Sequence, residues 1–230
     1  MASLAQEGVI PPTNSPFITT WKDTSGNGND GTLKNFGATS PWGGVGSPSN
    51  PYELTLNGTS EYVQPPALYA CDTKVFSYEA WFTVPAIPAA NMQIVEESGS
   101  GGSTFTGLQI TNTSGNPYLV GNWGDATVTT PPPAVSVCNG ALHHLVGTCN
   151  GINFNLYLDG ALLSGPIAMP SGTQTSLYAS LGCRLTGTSS YVNNFGGTIA
   201  VARIYKSCLT AAQVTHNYLA GLMTLPTKML

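Results

Sequence analysis

Charge is scarce in this chain. Of its 230 residues only 8% are Asp, Glu, Lys or Arg, against about a quarter in an average protein. Lys and Arg total 7, Asp and Glu total 11, and the formal net charge is −4. So few cations, scattered from Lys22 to Lys228, cannot form a stripe that tracks phosphates, which excludes nucleic-acid binding. The same scarcity argues against docking on an anionic membrane. No apolar run approaches the roughly 18 residues that a membrane-spanning helix needs. The opening MASLAQEGVIPPTNSP has neither a basic start nor an apolar stretch, so no secretion signal is expected. Cysteine is sparse and odd in number: Cys71, Cys138, Cys149, Cys183 and Cys208, with no CxxC spacing. All five are expected to be reduced and to pack as small hydrophobes, which suits assembly inside a cell. Two glycosylation sequons, at Asn57 and Asn112, then read as turn chemistry. No internal repeat at a period of about 20–50 residues is present.

Hydrophobic residues are 41% of the chain, with 27 Gly and 17 Pro. That mixture predicts one all-β domain with many turns. Three units are expected: an extended N-terminal arm over residues 1–20, a body over 21–221 and a short tail over 222–230. Val75–Val84 alternates Phe76, Tyr78, Ala80 and Phe82 against Val75, Ser77, Glu79 and Trp81, the period of a strand. Asn150-Gly151 and Asp159-Gly160 are hairpin signals, both central positions being read as positive in φ. Residues 142–163 therefore read as a three-stranded meander. Further strands are expected at 53–56, 61–64, 92–96, 105–111, 118–123, 176–182 and 198–205. Residues 97–104, ESGSGGST, read as a flexible loop. Pro131–Pro133 exclude a central strand there. One helix is expected: Thr210 to Gln213 forms a capping box, and Gly221 is placed as its C-cap. The sum is an antiparallel two-sheet sandwich, or jelly roll, with one short C-terminal helix.

Several segments, in this order, resemble the laminin G-like, concanavalin A-like jelly-roll family. Asp23-Thr-Ser-Gly-Asn-Gly-Asn-Asp-Gly31 is similar to the family's D-x-S-G-x-G-x-x-G opening. Leu56-Asn-Gly-Thr-Ser-Glu-Tyr-Val63 resembles F-D-G-x-x-D-Y-V, and Phe76-Ser-Tyr-Glu-Ala-Trp-Phe82 resembles F-T-I-E-A-W-V. Leu142-His-His-Leu-Val-Gly-Thr148 is similar to W-H-H-V-A-G-T, and Leu156-Tyr-Leu-Asp-Gly160 to L-Y-V-D-G. Residues 195–205 resemble F-x-G-x-I-D-E-V-R-I-Y, and Leu209–Gln213 resembles A-L-S-A-A-E. The likeness covers residues 21–220. It implies the jelly-roll fold and a role in recognition of glycans, proteins or lipids, mostly without catalysis. Fold alone does not choose among these.

Three constellations bear on function. Asp23, Ser25, Asn27, Asn29 and Asp30 offer oxygens on a Gly-rich loop, which calcium favours. The resemblance implies a calcium site there, with Asp23 as a side-chain ligand. It also implies an acidic partner at the position of Ala200, which this chain lacks. The other reading of the loop is a self-bonded Asx turn. For catalysis, a retaining glycosidase needs two carboxylates about 5 Å apart. Glu96 and Glu97 are neighbours on a strand and point to opposite faces, as do His143 and His144, so neither pair can act on one ligand or ion. Glu79 reads as structural. No enzyme is expected. A rim of Trp42, Tyr118, Asn122, Trp123, Asp125, Tyr191 and Asn193, with Asn194 and Phe195 beside it, offers rings and amides for a sugar.

The expected function is that of a non-catalytic structural or recognition protein. The first form is a virion component, a phage or virus capsid decoration or tail protein. It would be made in the cytoplasm and held on the particle, or in a homo-oligomer, through its N-terminal arm. The alternative is a free-standing glycan-binding module, with calcium as an optional cofactor.

Overall fold

The computed structural model describes residues 3–7, 19–37, 41–44, 52–102, 104–122, 127–130 and 136–224. Their strands form two large antiparallel sheets and a small ribbon. The first sheet runs β14 (Ala161–Ala168), β13 (Asn153–Leu158), β12 (Leu142–Asn150), β7 (Val75–Thr83), β18 (Gly196–Tyr205), β5 (Glu53–Asn57) and β4 (Trp42–Gly43). On the free side of β18, β5 lies beside residues 196–199 and β1 (Ser3–Glu7) beside residues 201–205. The second sheet runs β11 (Thr127–Thr129), β10 (Pro117–Asn122), β9 (Phe105–Ile110), β8 (Met92–Ser98), β15 (Tyr178–Leu181), β6 (Tyr62–Gln64), β3 (Gly31–Lys34) and β2 (Thr20–Trp21). The ribbon is β16 (Arg184–Leu185) with β17 (Tyr191–Val192).

The alternation along β7 decides which side chains meet. Phe76, Tyr78, Ala80 and Phe82 enter the core between the sheets, where they join Leu54, Ile94, Leu108, Leu119, Phe154 and Ile204. The opposite face carries Ser77, Glu79 and Trp81, and the helix α1 (Ala211–Thr224) covers it. Val146, Tyr157, Tyr205, Leu209 and Val214 form a second apolar cluster beneath that helix. Both faces of the first sheet are therefore covered at its central strands β7, β12 and β18. Among the described residues no helix is long and apolar enough to cross a membrane.

The expected two-sheet sandwich with one late helix is the observed fold. Each expected strand has a counterpart, and the meander runs through β12, β13 and β14. Its two turns differ. Asp159 and Gly160 both have positive φ, 49° and 80°, as a type I′ turn requires. At the other turn only Gly151 is positive, at 89°. The two-residue loop is Gly151-Ile152, a type II′ turn, and Asn150 stays in the strand. There its Oδ1 accepts the N–H groups of Ile152 and Asn153 at 3.0 and 2.8 Å.

The helix starts as the capping box predicts: the Gln213 N–H donates to Thr210 Oγ1, and the Thr210 N–H to Gln213 Oε1. Its end does not. The helix passes through Gly221 to Thr224. Gly221 is present for closeness, since a Cβ there would lie 2.2 Å from Trp81 Cζ2. The segment read as a flexible loop from residue 97 also differs, because Glu97 and Ser98 are buried members of β8. None of the five cysteines is in a disulfide. Most of the arm, residues 8–18, Pro131–Pro133 and the tail beyond Thr224 lie outside the described residues.

Candidate functional site

One end of the sandwich holds a cleft of about 430 Å³. One wall is the β7–β8 connection, Pro85 to Ala90, followed by Met92; the other is Asn193 and Asn194, with Gly58 and Gly196 between them. Local sequence explains the shape. Gly58, at φ 74°, closes the tight turn between β5 and β6 and donates its N–H to the Phe195 carbonyl at 3.0 Å. The two glycine backbones approach so closely that a Cβ on Gly58 would lie 3.2 Å from the Gly196 Cα. Gly196 also donates its N–H to Met92 Sδ. Asn193 has φ 58°, a left-handed conformation that Asn tolerates, and its carbonyl accepts the Gln93 N–H at 2.8 Å. That fixes the backbone while leaving its side chain to line the cleft. The Asn194 amide donates to the Thr59 carbonyl, and its Oδ1 is buried without a partner. Among the described residues no Asp, Glu, Lys or Arg lines the cleft.

Next to the cleft lies the outer face of the second sheet. Asn91 Nδ2 donates to the Tyr118 hydroxyl at 3.3 Å, Tyr118 donates to Gln109, and Gln109 to Gln93. Burial pushes the Tyr118 hydroxyl up to about 12, against the pull of Arg184. The β16–β17 ribbon is tied down over this face by Ser98 and Ser180, which donate to the carbonyls of Leu185 and Cys183, both at 2.7 Å. Glu96 lies fully buried on the same face, and neither of its oxygens has a hydrogen-bond partner. Burial pushes its carboxyl well above the ordinary range, although Arg184 pulls the other way.

The acidic and histidine residues that could suggest catalysis have structural partners. Glu97 points to the core and accepts the N–H groups of Ala70 and Cys71 and the hydroxyl of Tyr78, at 2.9–3.0 Å. Burial still raises its carboxyl above the ordinary range. Glu79 lies beneath α1 and meets His144 Nε2, Arg203, Tyr205 and Asn217. Burial alone would raise Glu79. The His144 hydrogen bond and the charge of Arg203 outweigh it and hold the carboxyl at about 2. His144 is buried against Trp81, with ring centres 4.7 Å apart. His143 faces the other way, between Asp159 and Asn139, with a side chain 12% exposed.

The loop read as a cation site is closed on itself. Asp23 Oδ1 accepts the Ser25 N–H and Asp23 Oδ2 the Asn29 N–H, both at 2.8 Å. Asp30 Oδ1 accepts the Asp23 N–H at 2.9 Å, and Lys22 Nζ sits on Asp30 Oδ2. Asn27 bonds to Ser25 Oγ. Hydrogen bonds to Ser25 and Asn29 overcome a burial cost and lower the Asp23 carboxyl; the Lys22 bond lowers Asp30. The Asp23 and Asp30 carboxylates thus accept N–H groups and an ammonium from their own loop, which is the self-bonded arrangement of an Asx turn. Ala200 is elsewhere, packed with Trp81 and Val201 on the other sheet.

The expected sugar rim is divided. Asn193 and Asn194 line the cleft. Tyr118 is on the outer face of the second sheet and only 7% exposed, and Asn122, at the end of the same strand, bonds to Thr127. Tyr191 leaves the rim to pack on Tyr62, with ring centres 5.1 Å apart. Phe195 is fully buried. Trp42 belongs to the first sheet and packs edge-on against Trp21. Trp123 and Asp125 lie outside the described residues. Sequence reading missed the Pro85–Ala90 wall, whose signal was the run of small apolar residues and prolines PAIPAA.

This chain belongs to the laminin G-like family whose model is described as the concanavalin A-like lectin/glucanases superfamily, matched by residues 57–215. No curated protein shows a significant sequence match. Among solved structures it is similar to domain 4 of AbnA, a GH43 extracellular arabinanase from Geobacillus stearothermophilus, in complex with arabinotriose. The TM-score is 0.65 at 19% identity, over 84% of this chain and 90% of that one. It is also similar to Trypanosoma rangeli sialidase, with a TM-score of 0.64 at 12% identity, over 97% of this chain but only 33% of the sialidase. At these identities the likeness is one of fold.

Proposed function

We propose that this jelly roll is a non-catalytic glycan-binding module that recognises a neutral sugar in the cleft between the Pro85–Ala90 wall and Asn193–Asn194. The observation that carries the reading is the pairing of an apolar wall with the Asn193 side chain and with Asn194, whose Oδ1 has no protein donor. A pyranose or furanose offers an apolar CH face and a rim of hydroxyls, and the cleft offers a surface for each. Asn193 and Asn194 can donate to and accept from hydroxyls. The absence of charged lining residues favours a neutral sugar over an acidic one. The structure of a similar domain with arabinotriose supports sugar binding on this fold. Its non-catalytic character is supported by Glu79 and Glu97, whose carboxylates are consumed by internal bonds, and by a cleft lined by no carboxylate. The self-bonded Asp23 loop supports binding that does not need calcium.

The test is a panel of neutral oligosaccharides, titrated against the wild type and Asn193→Ala, with sugar release followed in parallel. Saturable binding that weakens about fivefold or more on substitution, the loss of roughly one hydrogen bond, with no sugar released, is the expected result. Turnover of any bound sugar would contradict the non-catalytic reading.

A second reading, as a component of a virion or another particle, is favoured by the 8% charge content, which suits broad neutral contacts. In that case the native mass by light scattering is that of a defined oligomer. Residues 3–7 pair with β18 of their own chain, so such contacts would use other surfaces.

A further inference from the structure

The outer face of the second sheet holds an arginine, Arg184, that forms no ion pair among the described residues. Arg184 lies with its guanidinium carbon 4.3 Å from the centre of the Phe105 ring. Its Nε is buried without an acceptor. The groups whose fields reach it are Glu96 and Tyr118. Burial raises both the Glu96 carboxyl and the Tyr118 hydroxyl, and neither Glu96 oxygen is hydrogen-bonded to the guanidinium. The ring beneath it holds the planar fork in place, which lowers the entropy cost of pairing with a planar or tetrahedral anion. Phe105 and Arg184 are both partly exposed. Across the ladder from Phe105 are Asn122 on one side and Ser98 on the other, with Tyr178 beyond Ser98. Ser98 is buried and bonded to Leu185, so the partly exposed groups in this row are the Phe105 ring, the Asn122 amide and Tyr178, groups of the kind that contact a saccharide.

We infer that Arg184, stacked on Phe105 and flanked by Asn122 and Tyr178, forms a second ligand site that takes the carboxylate or sulfate group of an acidic saccharide. The site is separate from the neutral cleft and does not depend on it. Arg184 pairs with Val192 in the ribbon, and Asn193 of the cleft follows directly, so the two sites share one small element. With only seven Lys and Arg residues in the chain, one fixed guanidinium is a selective anchor rather than part of a basic patch.

The test is equilibrium titration with three probes: a hyaluronan tetrasaccharide with carboxylates alone, a heparin-derived tetrasaccharide with sulfates as well, and neutral chitotetraose. Both acidic probes, or one of them, should bind the wild type, and binding should weaken at high salt. Which acidic probe binds more tightly identifies the anion. Arg184→Gln should weaken acidic binding at least tenfold, the loss of a charge-assisted contact. Arg184→Lys should restore it only in part. Phe105→Leu, which keeps the charge and removes the platform, should weaken it with little change in unfolding temperature. Asn193→Ala should leave acidic binding unchanged, which separates this inference from the neutral cleft. Wild-type protein that binds neither acidic probe would overturn the inference. So would Arg184→Gln that binds them as the wild type does, or that loses neutral and acidic probes alike.

Discussion

The guanidinium of Arg203 donates to the Glu79 carboxylate at 2.9 Å, on the face of the first sheet that α1 covers. Tyr205 at 2.6 Å and Asn217 at 2.9 Å complete the shell, and Asn217 comes from the helix itself. Glu79 therefore ties β7, β12, β18 and α1 together through one buried carboxylate. Removing a partner from such a pair costs about 3–5 kcal/mol, because the other charge is left buried. Glu79→Gln is expected to lose stability on that scale in urea unfolding.

The same carboxylate sets an acid limb. Its folded value of about 2 lies below the ordinary 4.5, so the fold prefers the charged form. The stabilisation is fully present above the ordinary value and is lost as pH falls towards the folded one, about 3 kcal/mol in all. Unfolding midpoints should fall steeply on acidification in the wild type and much less in Glu79→Gln.

Glu96 works in the opposite direction. Its carboxyl is raised by burial, so the fold prefers the protonated form. The stability linked to it is complete below the ordinary carboxylate range and is lost as pH rises through the folded value. Glu97 is raised as well and adds to the same trend. Stability should therefore peak in mildly acidic solution rather than at neutral pH. Glu96→Gln, which keeps the shape without an ionisable proton, should raise the unfolding midpoint at neutral pH and change it little in acid. A drop at neutral pH would show that Glu96 is held as an anion.

Gly221 inverts a familiar rule. Glycine to alanine within a helix usually stabilises by about 1 kcal/mol. Here the added Cβ would meet the Trp81 indole at 2.2 Å. Gly221→Ala should instead destabilise by about 1–3 kcal/mol, the scale of an overpacked contact. Trp81 fluorescence should shift as the stack of Trp81 on Tyr218, with ring centres 5.7 Å apart, is disturbed.

How far the sequence was legible depended on how local each signal was. The alternation in β7 placed Phe76 and Phe82 in the core, and the same rule put Glu96 and Glu97 on opposite faces, as observed. Asp159-Gly160 was readable because its turn is made within four residues. Gly221 was not, because its reason is an indole about 140 residues away in sequence. Strand β8 was read too short because both of its faces are covered, so Glu96, Glu97 and Ser98 are buried polar groups in a stretch that looks like loop. The two-residue strands of the ribbon carry no periodicity, yet the ribbon covers Glu96 and presents Arg184. The sugar rim was assembled from ring chemistry alone. The fold spent Phe195, Tyr191 and Trp42 on packing and left the amides of Asn193 and Asn194 at the cleft.

The Asp23 loop should be indifferent to calcium. Its carboxylates already accept backbone N–H groups and the Lys22 ammonium. The unfolding temperature should be the same in a chelator and in excess calcium. Asp23→Ala should lower it equally in both, because the loss is of turn hydrogen bonds. A rise on adding calcium that disappears in Asp23→Ala would restore the cation site.

The most direct test of the central claim is an amide-resolved NMR titration of the wild type with a neutral oligosaccharide series that includes arabinotriose. The account predicts saturable shifts concentrated at Gly58, Ala86, Ile87, Asn193, Asn194 and Gly196, together with the Asn193 side-chain amide. Saturable shifts centred on the Asp23–Asp30 loop or on the surface of α1, with the cleft amides unmoved, would contradict it.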